Sequence, residues 1–357
     1  MSVEIWPPIS PDELKIQEDA TQDRELAWLL TSLRSTLAQV KQGLEDCCAL
    51  LSPTDISSAP AGSTLALTTP RNETVKGHAT RIGTRLVRGI VHLRLRTLPP
   101  QTLSLDPSRP VRVAALTRLD ALLARSVALC LDLEEHDQTR HHTDPPSAPY
   151  LAAQLRLLSQ YISEAGSLVK GPPNPSKRTP PPSSSRPGTA ASVSSTRTQE
   201  PRLDQQPQTP PDTSWTTGSI SLHHFTPPLS RNLSIYLTIQ DACLVLYLRA
   251  LEPADAPVNF GTKLALAIGT TRRLEHDEAD KVFNYRCDED GELSEGGHGH
   301  GDDRREGGAE VYVREKVRVE SADPSLLSLS AKLSALGYAL GLARRNLAAV
   351  MGEEIED

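Results

Sequence analysis

Residues 26–51 read LAWLLTSLRSTLAQVKQGLEDCCALL. An apolar side chain falls alternately four and three positions apart: Leu26, Leu30, Leu33, Leu37, Val40, Leu44, Cys47 and Leu51. The mean spacing of about 3.5 residues is that of a helix laid along another helix, because it returns the same stripe to one side every two turns. Upstream, Ser10-Pro11-Asp12-Glu13 has the composition of a helix start, with a capping serine, a first-turn proline and a glutamate placed to reach back. The residues leave open whether this start belongs to the same helix or to a separate turn. Downstream, Pro53 ends the pattern. From Thr21 to Leu51 the helix would be roughly 45 Å long at ~1.5 Å per residue. Gly43 reads as a weak point in it, costing about 1 kcal/mol against alanine. Trp28 and Leu29 fall off the seam, on a second face open to a partner helix.

The same rule recurs three times. Leu116, Leu119, Leu123, Ser126, Cys130 and Leu133 follow it, and after a polar break at 136–149 so do Leu151, Leu155, Leu158, Ile162, Ala165 and Val169. Two such helices joined by a loop form a helical hairpin. Asp323-Pro324 then supplies a capping acid and a first-turn proline. Behind it come Leu326, Leu329, Leu333, Leu336, Leu340, Ala343, Leu347 and Val350. Burying one leucine contributes roughly 1.5–3 kcal/mol, so a row of them left wet would outweigh the stability of an ordinary domain. The expected solution is an antiparallel four-helix bundle made of both chain ends and the central hairpin.

Between the helical stretches the period changes to two. Val91-His92-Leu93-Arg94-Leu95-Arg96 alternates apolar and basic, and the preceding strand, Thr74–Ile82, reaches it through a turn near Gly83-Thr84. Leu233–Gln240 alternates, turns at Gln240-Asp241 and returns as the apolar run Cys243–Leu248, which reads as a strand covered on both sides. A short strand is expected within 279–285. Val311, Val313, Val317 and Val319 alternate with Tyr312, Arg314, Lys316 and Arg318, which predicts a further two-faced strand. The fold class is therefore α+β. A helical bundle is expected over 10–55, 108–170 and 323–357, and a smaller antiparallel β domain over 62–106, 220–286 and 310–322. Residues 171–219 are rich in proline, serine and threonine, and 287–309 are acidic and glycine-rich. Neither stretch holds enough apolar surface to offset chain entropy, so both are expected to be disordered. Thr179-Pro180 and Thr209-Pro210 in the first are phosphorylation sites by sequence pattern only.

The 357 residues suffice for two ordinary domains. A net charge of −7 gives no basic excess for nucleic acid. Cys47, Cys48, Cys130, Cys243 and Cys287 show no CxxC spacing and read as reduced thiols of a cytoplasmic protein. No signal-peptide pattern opens the chain, and no run of about 18 apolar residues predicts a membrane span. No phosphate loop, dinucleotide fingerprint, HExxH or GxSxG motif occurs, so no catalytic residue, cofactor or metal is expected. His298, His300, Asp302 and Asp303 form a weak metal pattern in a floppy stretch, without the neighbours that orient ligands. His141-His142 and His223-His224 read as solvated imidazoles. The candidate site is a docking surface on two basic strand faces: Arg88, His92, Arg94 and Arg96, and Arg314, Lys316 and Arg318. Its expected occupant is an acidic partner or anionic lipid; the bland alternative is charge that guards a sheet edge from pairing.

Several stretches resemble the Rogdi family, also called RAVE complex subunit two. Glu25-Leu26-Ala27-Trp28-Leu29-Leu30 is similar to that family's N-terminal helix, and Val75-Lys76-Gly77 to the start of its first β segment. The run 237–247, LTIQDACLVLY, followed by Leu251-Glu252-Pro253, resembles its central hairpin. The resemblance implies a non-enzymatic leucine-zipper protein, with an α bundle built from both chain ends and a smaller β domain. It implies as partners a rabconnectin-like β-propeller subunit, a Skp-type adaptor and subunits of the vacuolar proton-pumping ATPase. In a fungal member the complex would promote reassembly of that pump, from a cytoplasmic pool recruited peripherally to vacuolar or endosomal membranes. The alternative is a generic coiled-coil scaffold or self-associating tether unrelated to the pump.

Overall fold

The computed structural model describes residues 9–51, 62–139, 148–172, 212–255, 276–279, 281–286 and 308–352. The expected elements at 52–61, His141-His142, both Thr-Pro pairs, the histidines at 298 and 300, Cys287 and the last five residues lie outside this set.

The two N-terminal helix signals belong to one helix, α1 (Pro11–Leu51). The Ser10 hydroxyl accepts from the Glu13 N–H at 3.3 Å and the Ser10 carbonyl from the Leu14 N–H at 2.9 Å. Forty-one residues make a rod of about 60 Å at ~1.5 Å per residue. Its first turns, residues 11–25, are exposed on every side. Leu33, Val40, Leu44, Cys47 and Leu51 are buried as the seam predicts, but Leu26, Leu30 and Leu37 are only half-buried, and Leu29 takes the buried place near the start. A straight helix turns every 3.6 residues and drifts about 20° per heptad against a 3.5-residue stripe, so the core-facing position moves round by one residue along the rod. Leu29 therefore belongs to the core, while Trp28 beside it is 72% exposed.

The remaining long helices are α2 (Ala114–Thr139), α3 (Ala148–Lys170) and α5 (Pro324–Met351); α4 (Trp215–Gly218) is a single turn. Asp323 caps α5 by accepting from the Ser325 N–H at 3.0 Å, and left-handed Gly352 (φ 67°) ends it. Within α5, Leu326, Leu329, Leu333, Leu340 and Leu347 are buried, with Leu336, Ala343 and Val350 packed at their margin. α1 packs on α2 and α5, and α3 packs on α2 and α5. α1 and α5 run antiparallel: Gln22 Nε2 donates to the Val350 carbonyl at 2.9 Å near one end, and Lys332 meets Asp46 at 2.8 Å near the other. Between them a Cβ on Gly43 would lie 2.6 Å from Leu336 Cδ2. Glycine at this point makes room for the tip of a leucine, which would have to shift for any larger residue. By length and hydropathy α5 is also apolar enough to cross a bilayer, which the absence of a continuous apolar run had argued against.

The β part forms two antiparallel sheets rather than one. The first has the order β1 (Ser63–Thr68), β2 (Val75–Ile82), β3 (Arg85–Leu93), β4 (Gln101–Leu105), β6 (Phe225–Thr226), with β5 (Val111–Arg112) also on β3. β5 falls in the stretch expected to be helical. The second sheet has the order β7 (Leu233–Gln240), β8 (Cys243–Pro253), β10 (Ala309–Ala322), β9 (Val282–Tyr285). Residues from the four long helices and both sheets share one core. A smaller core under the far face of the second sheet gathers Trp215, Leu251, Phe283, Tyr285, Val311 and Val313. Trp215 is fully buried there, so residues 212–219, part of the stretch expected to be disordered, are built into the fold. Likewise β10 begins at Ala309.

One buried ion pair ties sheet to helices. Arg81 Nε donates to Asp323 Oδ2 at 2.6 Å, and its Nη1 donates to the Gly83 carbonyl at 2.7 Å and the Leu51 carbonyl at 3.5 Å. A single guanidinium thus joins β2, the end of α1 and the cap of α5.

Candidate functional site

Along β3 the side chains alternate cleanly. Val91 and Leu93 are buried, while Arg88, Ile90, His92 and, just past the strand, Arg94 are exposed. Register then brings in basic neighbours that lie far off in sequence. Lys76 sits opposite His92, His78 opposite Ile90, and Arg85 opposite Arg112. The extra residue Val87, between the Leu86–Arg81 and Arg88–Thr80 pairs, keeps Arg85 on the same open side as Arg88. His92 Nδ1 and Thr102 Oγ1 of β4 lie 2.8 Å apart. Lys76, His92, Arg94, Thr74 and Thr102, with Glu73 at the rim, line an open groove of about 540 Å³. Among the described residues no acid pairs with Lys76, Arg85, Arg88, Arg94 or Arg112. Arg96 is exposed, but its backbone N–H is held by Glu315 Oε2 at 2.8 Å. Sequence reading missed Lys76, His78, Arg85 and Arg112; counting outward from the Gly83-Thr84 turn pairs Ile82 with Arg85 but, without the extra residue Val87, would have set Lys76 opposite Val91 rather than His92.

The second basic row is not a surface of the same kind. Val313 pairs with Leu251 and Glu315 with Ala250, so Arg314 is an inserted residue that turns the strand over. Val311 and Val313 therefore face the Trp215 core, while Val317 and Val319 face the main core. The sequence had placed all four on one side. Arg314 pairs with Glu252. Lys316 Nζ lies 2.8 Å from Asp277 and 2.6 Å from Glu278. Arg318 pairs with Glu320 and donates to the Tyr247 hydroxyl at 3.2 Å and Gln240 Oε1 at 2.8 Å. Under this network Arg249 makes a two-pronged bond to Glu278, 2.7 and 2.9 Å, with both side chains 2% exposed. The guanidinium carbon stands 4.5 Å from the Trp215 ring centre. Burial pushes the Asp277 carboxyl up, but the bond and charge of Lys316 outweigh it and hold the group below its ordinary range. The positive charges of β10 are thus used up within the fold. Glu315, skipped in the sequence reading, points inward and accepts from Arg96 N–H, Thr97 N–H and the Thr97 hydroxyl at 2.8–3.0 Å.

Burial raises the Cys47 and Cys130 thiols to about 11, so at neutral pH they stay protonated. At the helix contacts, bonding to Glu134 raises Lys41, while bonding to Lys332 lowers Asp46.

No curated protein matches the chain closely enough to serve as a relative. Residues 25–348 match a family model described as Rogdi leucine zipper containing protein. That span begins in the exposed start of α1, takes in both sheets and ends in the last turn of α5, so the chain belongs to the Rogdi family.

Proposed function

We propose that the protein is a non-enzymatic, protein-binding subunit of the RAVE complex, promoting assembly and reassembly of the vacuolar proton-pumping ATPase. The observation that carries this reading is family membership across 25–348, which points to a role in protein interaction. On this reading the helices of 10–55, 108–170 and 323–357 act as one antiparallel four-helix bundle. The closed ring of contacts α1–α2–α3–α5, with α1 and α5 antiparallel, supports it. The β segments of 62–106, 220–286 and 310–322 form the second working unit. The partners are a rabconnectin-like β-propeller subunit, a Skp-type adaptor and pump subunits, met in the cytoplasm of a fungal cell and at the surface of vacuolar or endosomal membranes. Affinity capture of the intact protein from fungal lysate, read by mass spectrometry, tests this. Recovery of the propeller partner together with pump subunits is expected, and recovery of neither overturns the reading.

A self-associating tether is the second reading, favoured by Trp28 on α1 and Tyr338 on α5, 72% and 71% exposed. Light scattering separates the two: a mass that doubles with concentration supports the tether, and a constant monomer removes it.

A further inference from the structure

We propose that the open face of the first sheet docks on a bilayer containing anionic phospholipid. The six strands of this sheet contain no Asp or Glu, although the chain carries 45 of them against 38 Lys and Arg. Lys76, Arg85, Arg88, Arg94 and Arg112 stand exposed on or beside that face with no acid bonded to them among the described residues. Guarding an edge does not explain Lys76, Arg85 and Arg88, because β2 and β3 are interior strands, β2 between β1 and β3, and β3 between β2 and the pair β4 and β5. Nor does simple wetting, because Arg85 lies directly opposite Arg112, where like charges destabilise a strand pair. The like-charge pair brings the fold no gain, and an external anion on this face would neutralise it.

The layout favours lipid over an acidic protein. Protein interfaces concentrate their energy in aromatic and large apolar anchors. This face offers only Ile90, 40% exposed, and no aromatic side chain. From Arg85 to Arg94 the charges extend about 30 Å at ~3.3 Å per residue, too far for one phosphate but suited to a field of headgroups. The groove lined by Lys76, His92 and Arg94, with one acid, Glu73, also in its wall, has room for a headgroup. Each basic side chain near an anionic membrane is worth roughly a five-fold gain in partitioning.

Sedimentation of the full chain with vesicles tests this. Binding is expected to phosphatidylcholine vesicles containing about 30 mol% phosphatidylserine, not to pure phosphatidylcholine, and to fall away in ~0.5 M salt as screening shortens the field. Arg88→Glu with Arg94→Glu should weaken binding by at least about 25-fold while the melting temperature is unchanged. Arg345→Glu, on exposed α5 surface, should weaken it far less. Equal loss in all variants, full binding by the double variant, or no binding by the unaltered protein each overturns the proposal. Capture of poly-glutamate without vesicle binding would assign the face to an acidic protein instead. The assay contains no partner protein, so its failure leaves the assembly reading standing, and failure of that reading leaves this one untouched.

Discussion

The two sheets carry the same written signal and put it to opposite use. Each has a strand of alternating apolar and basic residues, and each such strand lies inside its sheet. In the second, acids from Glu252, Asp277, Glu278 and Glu320 close on every basic side chain of the row. In the first no acid among the described residues does, and the row is joined by further positive charge from β2 and β5. Alternation fixes which way a side chain points. Whether its charge is internal or presented outward depends on what the rest of the chain brings to it.

That contrast can be broken at four points, read by chemical denaturation or by hydrogen exchange. Glu278→Ala strands Arg249 in a dry site and should lower stability by about 3–5 kcal/mol, whereas Arg249→Met with Glu278→Leu should be near neutral. A loss under about 1 kcal/mol for the single change would mean that water enters and the network is not buried. Lys316→Ala removes bonds to two acids and should lose about 1–3 kcal/mol, with hydrogen exchange rising in β8 and β10 only. Acid should also tell the sheets apart. The Asp277 carboxyl lies below its ordinary value of 3.8, so its contribution is full above that value and disappears as pH falls through the lower folded one. Exchange in the second sheet should quicken below about pH 4 before the first sheet responds. The side chain is 65% exposed, so the change is small. Arg88→Ala with Arg94→Ala should move stability by no more than ~0.5 kcal/mol. A larger loss would show that this row, too, has an internal purpose.

The leucine rows were legible because a helix period repeats over many turns, and eight matched positions outvote any single misplacement such as Leu29. The hairpin of β7 and β8 was legible for the same reason, and Asp241 and Ala242 at its turn adopt φ of 49° and 59°. What escaped was set by single residues. β4 is five residues long and follows Pro99-Pro100, too short for alternation to rise above its neighbours. Trp215 sits alone among prolines, serines and threonines, and only the second sheet's far face reveals its purpose. Arg314 looks like one more member of an alternating row, yet as an inserted residue it reverses every side chain before it. The open face of the first sheet was half visible through Arg88, His92 and Arg94; the other half arrives by strand register.

The seat at Gly43 has a consequence for the zipper itself. Rows of leucine repeat, so two of them can in principle slip past each other by a heptad, about 10 Å, and still match. Leu336 packs over Gly43, where a methyl group would force its tip to shift, and one heptad away in α1 it would meet Thr36 or Leu50 instead. The contact works as a detent: among alignments that leucine alone would tolerate, it selects the one in which Asp323 reaches Arg81.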